Sequence, residues 1–148
     1  MLRKLFILLA MTFVVLPFAS QADGPAVVAT HIWIREAPQG ESVMTGYLTL
    51  DNLSSQKLML VSVASPDFDS VVIQRSATPE DMDKAQPVAN LTIPAHKNFV
   101  FTPAGYQLLL TKPLKRLFDG DLVTLTLTFS DHSSLTIIAP VRYDQPRN

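Results

Sequence analysis

Three histidines, five methionines and no cysteine set the chemistry open to this 148-residue sequence. Imidazole and thioether are donors suited to copper and other borderline or soft metals. His31 lies in a strand pattern two residues before Trp33 and on its face, which reads as a packed or half-exposed strand histidine. His96 in "PAHKN" and His132 in "SDHS" sit in turns. No second ligand stands near any of the three at metal-binding spacing. Met1 and Met11 fall in an apolar leader. Met59 alternates with Val61 and Val63 and reads as core, and Met44 and Met82 lie in loops where a thioether could be exposed. The remaining polar position of interest is Gln107 in "TPAGYQLLL", a carboxamide at the head of an apolar run with Leu109 two residues on. By strand geometry the two project to the same face.

Catalytic templates fail. There is no HExxH, no glycine-rich phosphate loop, no Gly-x-Ser-x-Gly elbow and no cysteine nucleophile. An enzyme is not expected.

The elements that would position these residues are strands. In "DLVTLTLTF", Val123, Leu125, Leu127 and Phe129 alternate with Thr124, Thr126 and Thr128, a period of two with one buried face. The turn "SDHS" follows, and "LTIIAPV" alternates again through Leu135, Ile137 and Ala139, so the pair reads as a hairpin. Further candidates are "VVATHIWIR", "TGYLTLDN", "LMLVSV", "SVVIQR", "AQPVANLTI", "NFVFT" and "YQLLLT", each bounded by Pro, Gly, Asn, Asp or Ser. Eight or nine short strands in one domain predict an all-β, antiparallel β-sandwich or barrel. "KPLKRLF" predicts one helical turn, and "SATPEDMDKA" a surface loop.

The first 22 residues are set apart. Arg3 and Lys4 precede the apolar run "LFILLAMTFVVLPFA", and "SQA" before Asp23 is a small-residue cleavage site. The run is shorter than the ~20 residues a membrane span needs and is broken by proline. The expectation is a signal peptide over 1–22 and a mature domain over 23–148, exported to the periplasm with no span after cleavage. Without cysteine the domain has no disulfide, and a lipid anchor at the leader lacks its thiol. Of 12 basic and 13 acidic side chains, Arg3 and Lys4 leave with the leader, which moves the net charge from −1 to −3. No basic stripe appears, which argues against nucleic acid or an anionic membrane as partner. Asn52-Leu-Ser and Asn90-Leu-Thr match the glycosylation acceptor pattern.

In order, "HIWIREAPQG", "TGYLTLDN", "IPAH", "FTPAGYQLLL", "LFDGDLVTLTLTF" and "IIAPV" resemble the PCu(A)C family of periplasmic copper chaperones over about Val27 to Val141. The resemblance implies a cupredoxin-like β-sandwich. It also implies a Cu(I) site of spacing His, ten residues, Met, twenty-one residues, His, one residue, Met. On this chain those positions are Gln74, Ala85, Gln107 and Leu109, so the spacing is kept and all four donors are gone. Two amides, an alanine and a leucine do not make a Cu(I) site. Read from the residues alone, Gln74 and Gln107 are equally ordinary polar positions near a sheet end. The resemblance implies a metal-free binding module for another exported or membrane-bound protein, in a copper-delivery pathway, with no cofactor. The alternative is a copper chaperone using His31, Met44, Met82 and His96.

Overall fold

In a computed structural model the described residues are 26–76 and 85–143. The leader expected over 1–22 and Met82 lie outside them. The described chain forms ten strands and no helix: β1 (Val27–Arg35), β2 (Val43–Asn52), β3 (Leu58–Ala64), β4 (Phe68–Arg75), β5 (Gln86–Pro87), β6 (Leu91–Ile93), β7 (Asn98–Val100), β8 (Tyr106–Pro113), β9 (Leu122–Phe129) and β10 (Ser134–Arg142). The strand order is β5-β4-β8-β2-β1-β10-β9-β3-β6, with β7 also paired to β2. Every pairing is antiparallel except β1 with β10, which run parallel through Ile34↔Val141 and Arg35↔Arg142 alone.

The all-β sandwich expectation therefore holds, with ten strands in place of eight or nine. The extra strand comes from "AQPVANLTI". Its middle leaves the ladder, so Gln86–Pro87 pairs with β4 while Leu91–Ile93 pairs with β3 on the far half. Each half turns an apolar face inward. Ile34, Leu48, Leu50, Leu108 and Leu110 from one half share a core with Leu60, Val123, Leu125, Leu127 and Phe129 from the other.

The β9–β10 hairpin follows its pattern closely. Leu125, Leu127 and Ile137 are buried, and Thr124 and Thr126 stand half-exposed on the opposite face.

Four expectations are corrected. "KPLKRLF" forms no helix: it ends β8 and continues as bends, with the Leu117 side chain buried in the core. Met44 is not in a loop. It is the second residue of β2, paired with Leu110 and 2 % exposed. Met59 is only half-buried, because Leu58 and Leu60 take the inward positions and an irregularity between Leu60 and Ser62 then resets the phase for Val63. His31 does not share the face of Trp33. A bulge between Thr30 and Trp33 breaks the alternation, leaving His31 exposed at φ 50° and Trp33 buried.

Candidate functional site

The site is built from four adjacent strands. β4 and β8 pair so that Gln74 stands directly opposite Gln107 and Val72 opposite Leu109. Antiparallel partners have Cα atoms about 4.5–5.5 Å apart, so the two carboxamides are side by side on one face. On the other side of β8, the β2 register runs Thr45↔Leu109 and Gly46↔Leu108, which sets Tyr47 beside Gln107. Tyr47 in turn pairs with Trp33 of β1, with ring centroids 4.7 Å apart. A row of Trp33, Tyr47, Gln107 and Gln74 thus crosses the sheet on the face away from the apolar core. Ala85 is half-buried and immediately precedes β5, whose Pro87 is the other partner of Gln74.

Gln74 and Gln107 are not exposed positions at a sheet end: they are 7 % and 0 % exposed. Burying an amide is costly unless it is hydrogen-bonded. Tyr47 Oη lies 3.4 Å from Gln107 Oε1 and donates to it. The same phenol lies 3.1 Å from Thr45 Oγ1. A phenol has one proton, so when it goes to Gln107 the Thr45 hydroxyl donates to Oη. The carboxamide oxygen is thereby turned towards Tyr47. Leu109 is half-buried between Thr45 and Val72, and Val72 is 40 % exposed. The row is uncharged and carries no imidazole and no thioether.

A small cavity of about 240 Å³ borders Gln107 and Tyr47, with Pro38, Glu41 and Pro103 on its rim. Met44 also borders it, but the thioether belongs to the buried face of β2. No histidine lines this cavity. His31 and His96 line two other, separate cavities. Of the alternative ligands, His31 and His96 thus line different cavities and Met44 faces the core, while Met82 lies outside the described residues. Among the described residues no group of three or more His, Cys, Asp or Glu side chains is placed to hold a metal ion.

A residue that sequence reasoning missed is Asn52. Its Nδ2 donates to the carbonyls of Gln56 at 2.8 Å, Ile93 at 3.1 Å and Pro94 at 3.1 Å. Its Oδ1 accepts from Ser54 N at 3.0 Å and Ser54 Oγ at 2.7 Å. It is 2 % exposed, so the acceptor pattern at Asn52-Leu-Ser is used inside the protein. The signal was present: Asn followed two residues later by Ser is an Asx-turn sequence.

The family described as "Putative lipoprotein LpqE-like" matches residues 27–141. A relative from Leifsonia xyli subsp. xyli (strain CTCB07), "Putative lipoprotein Lxx21020", is 26 % identical over 123 residues, which cover 82 % of this chain and 72 % of the relative. The copper-bound PCuAC domain from PmoF2 superposes with TM-score 0.69 at 23 % identity, covering 81 % of this chain and 95 % of that domain. The solution structure of Cu(I)-DR1885 from Deinococcus radiodurans superposes with TM-score 0.66 at 26 % identity, over 85 % of this chain and 84 % of that one. The resemblance carried by the sequence motifs is thus matched in three dimensions.

Proposed function

Because this chain belongs to the LpqE-like family and shares the fold of PCuAC domains, we propose that it is an exported PCuAC-like module whose copper-ligand positions hold no copper. On this reading residues 1–22 direct export, residues 23–148 are the mature domain in the periplasm, and the domain acts by binding another exported or membrane-bound protein of a copper-delivery pathway. No catalytic step is proposed.

The observation that supports the vacancy is the register pair Gln74↔Gln107, buried beside Tyr47. Those are the positions that the spacing assigns to two histidines. A carboxamide offers a hard oxygen and a nitrogen whose lone pair is delocalised, and Cu(I) takes thioether, thiolate or imidazole. Leu109 and Ala85, at the methionine positions, offer no donor. The lipid attachment named for the relatives needs a thiol, and none of the 148 residues supplies one.

The test is an anaerobic Cu(I) titration of the mature protein against a competing chelator. Wild type is expected to lose the competition. The variant Gln74→His/Ala85→Met/Gln107→His/Leu109→Met is expected to gain Cu(I) binding on an unchanged fold. Wild-type binding at ~picomolar Kd or tighter would defeat the reading, since affinity of that order requires a full set of soft ligands.

A further inference from the structure

We infer that the outer groove over Trp33 and Tyr47 is a binding site for a small organic anion with an apolar body. The inference is independent of the copper positions and of any protein partner. The groove has a volume of about 410 Å³, which lies within the range of small-molecule sites. Trp33 and Tyr47, 6 % and 4 % exposed, show only their edges at its floor, and Val100, Pro103 and Pro140 add apolar walls. Val100 is 49 % exposed, an apolar side chain open to a ligand. Thr49 and Thr102 supply hydroxyls.

Two observations select an anion. The ionisable side chains that line the groove, apart from the Tyr47 phenol, are His31 and Arg142, and no carboxylate lines it. Arg142 is thus the fixed positive charge at the groove, and it favours a negative group there. The Arg142 guanidinium is the natural seat for a carboxylate, which it can hold through two parallel N–H donors. At present Nη1 makes a loose 3.8 Å ion pair with the exposed Asp119 and a 3.4 Å bond to the Val141 carbonyl. Neither contact is strong enough to hold it from a ligand.

The second observation is the backbone at His31. His31 at φ 50° lies in the left-handed region that histidine enters more readily than most residues, as His96 and His132 also do, and here it falls within a strand. The β1 bulge turns the imidazole out of the strand alternation and onto the groove rim. Nδ1 lies 3.2 Å from Thr30 Oγ1, and when it accepts from that hydroxyl Nε2 carries the proton and can donate. His31 and Arg142 then bracket an aromatic floor.

Trp33 is the single tryptophan of the chain, so its fluorescence reports on this groove directly. The experiment titrates the mature protein with 4-phenylbutyrate and, in parallel, with the uncharged 4-phenylbutanol. Saturable quenching by the carboxylate is expected, with Kd roughly 0.1–1 mM for a ligand of this size. The alcohol is expected to bind about tenfold more weakly. Arg142→Met should cost the carboxylate about tenfold, and Arg142→Lys, which keeps the charge but loses the fork, should recover only part of that loss. Asp119→Asn should tighten binding about two- to threefold by freeing the guanidinium, without touching the groove. His31→Gly should weaken binding while raising the unfolding midpoint, because glycine relaxes at φ 50°. The inference is overturned if the alcohol binds as well as the anion, if quenching does not saturate, or if Asp119→Asn and Arg142→Lys leave the affinity where Arg142→Met leaves it.

Discussion

Asn52 and Gln107 are both buried carboxamides, and they are used in different ways. Asn52 sits at a corner where β2 leaves the sheet, and its amide is spent on three backbone carbonyls and two Ser54 groups. Gln107 sits mid-sheet, opposite another carboxamide, with a long bond from a phenol and a cavity at its side. The corner amide adds to the few backbone hydrogen bonds that the loop 53–57 and the turn after β6 make for themselves. The backbone of the mid-sheet amides is paired in the β4–β8 ladder, so the two strands are joined there without their side chains. Burial alone does not mark a structural residue. What matters is whether the partners are main-chain groups that would otherwise be orphaned.

An apolar truncation sets the scale for breaking this contrast. Leu125→Ala should destabilise by about 2–5 kcal/mol, since the side chain is 1 % exposed in the shared core. A denaturant midpoint equal to wild type would mean that the β9 alternation does not set the core. Next comes Asn52→Ala, which removes the side-chain partner of the Ile93 carbonyl and of the Ser54 amide, while the Pro94 carbonyl keeps its bond from Lys97 N. A loss of about 1–3 kcal/mol is expected, with faster amide exchange at Ser54 and Lys97. The double change Gln74→Leu/Gln107→Leu, which also removes the Tyr47–Gln107 bond, should cost less than Asn52→Ala. If it costs as much as Asn52→Ala, the mid-sheet amides are structural and the contrast fails.

The smallest effect is expected at the surface copy of the Asn52 turn. Asp131 Oδ1 accepts from Ser133 N at 3.0 Å and Ser133 Oγ at 2.6 Å, the same pattern as at Asn52. The Ser133 hydroxyl, then its amide, hold the Asp131 carboxyl below its ordinary value. A group with a lowered folded-state pKa stabilises above its unfolded value, and that contribution is lost as pH falls through the folded one. The turn should therefore hold at neutral pH and open in acid. The Ser133 amide shift should report a midpoint below the ordinary aspartate value. A midpoint at or above that value would show that the bonds do not persist in water.

These residues also show what the sequence disclosed. The β9–β10 hairpin was legible because its threonines and leucines alternate without interruption, and the juxtaposition of Gln74 with Gln107 because the spacing implied by the resemblance brings those two positions together. Phase was not legible where a bulge intervenes. One inserted residue at His31 or near Val61 moves every later side chain to the other face, and no local composition announces it. Met44 was misplaced because "QGESV" carries turn residues up to the edge of β2. The partnership of Asn52 with Ile93 and Pro94 joins residues about forty apart, which no local pattern encodes.

The parallel contact of β1 with β10 has a consequence in time. The first strand of the fold is joined to the last by Ile34↔Val141 and Arg35↔Arg142, and this seam links the two halves of the sheet order. A chain emerging from its N-terminus can form the β1–β2 ladder early, but it has nothing to close against until residues 134–142 exist. Sheets dominated by such distant pairings fold slowly, on the order of milliseconds to seconds. Completion of this fold thus waits on residues 134–142, which lie about a hundred positions from the strand they close against.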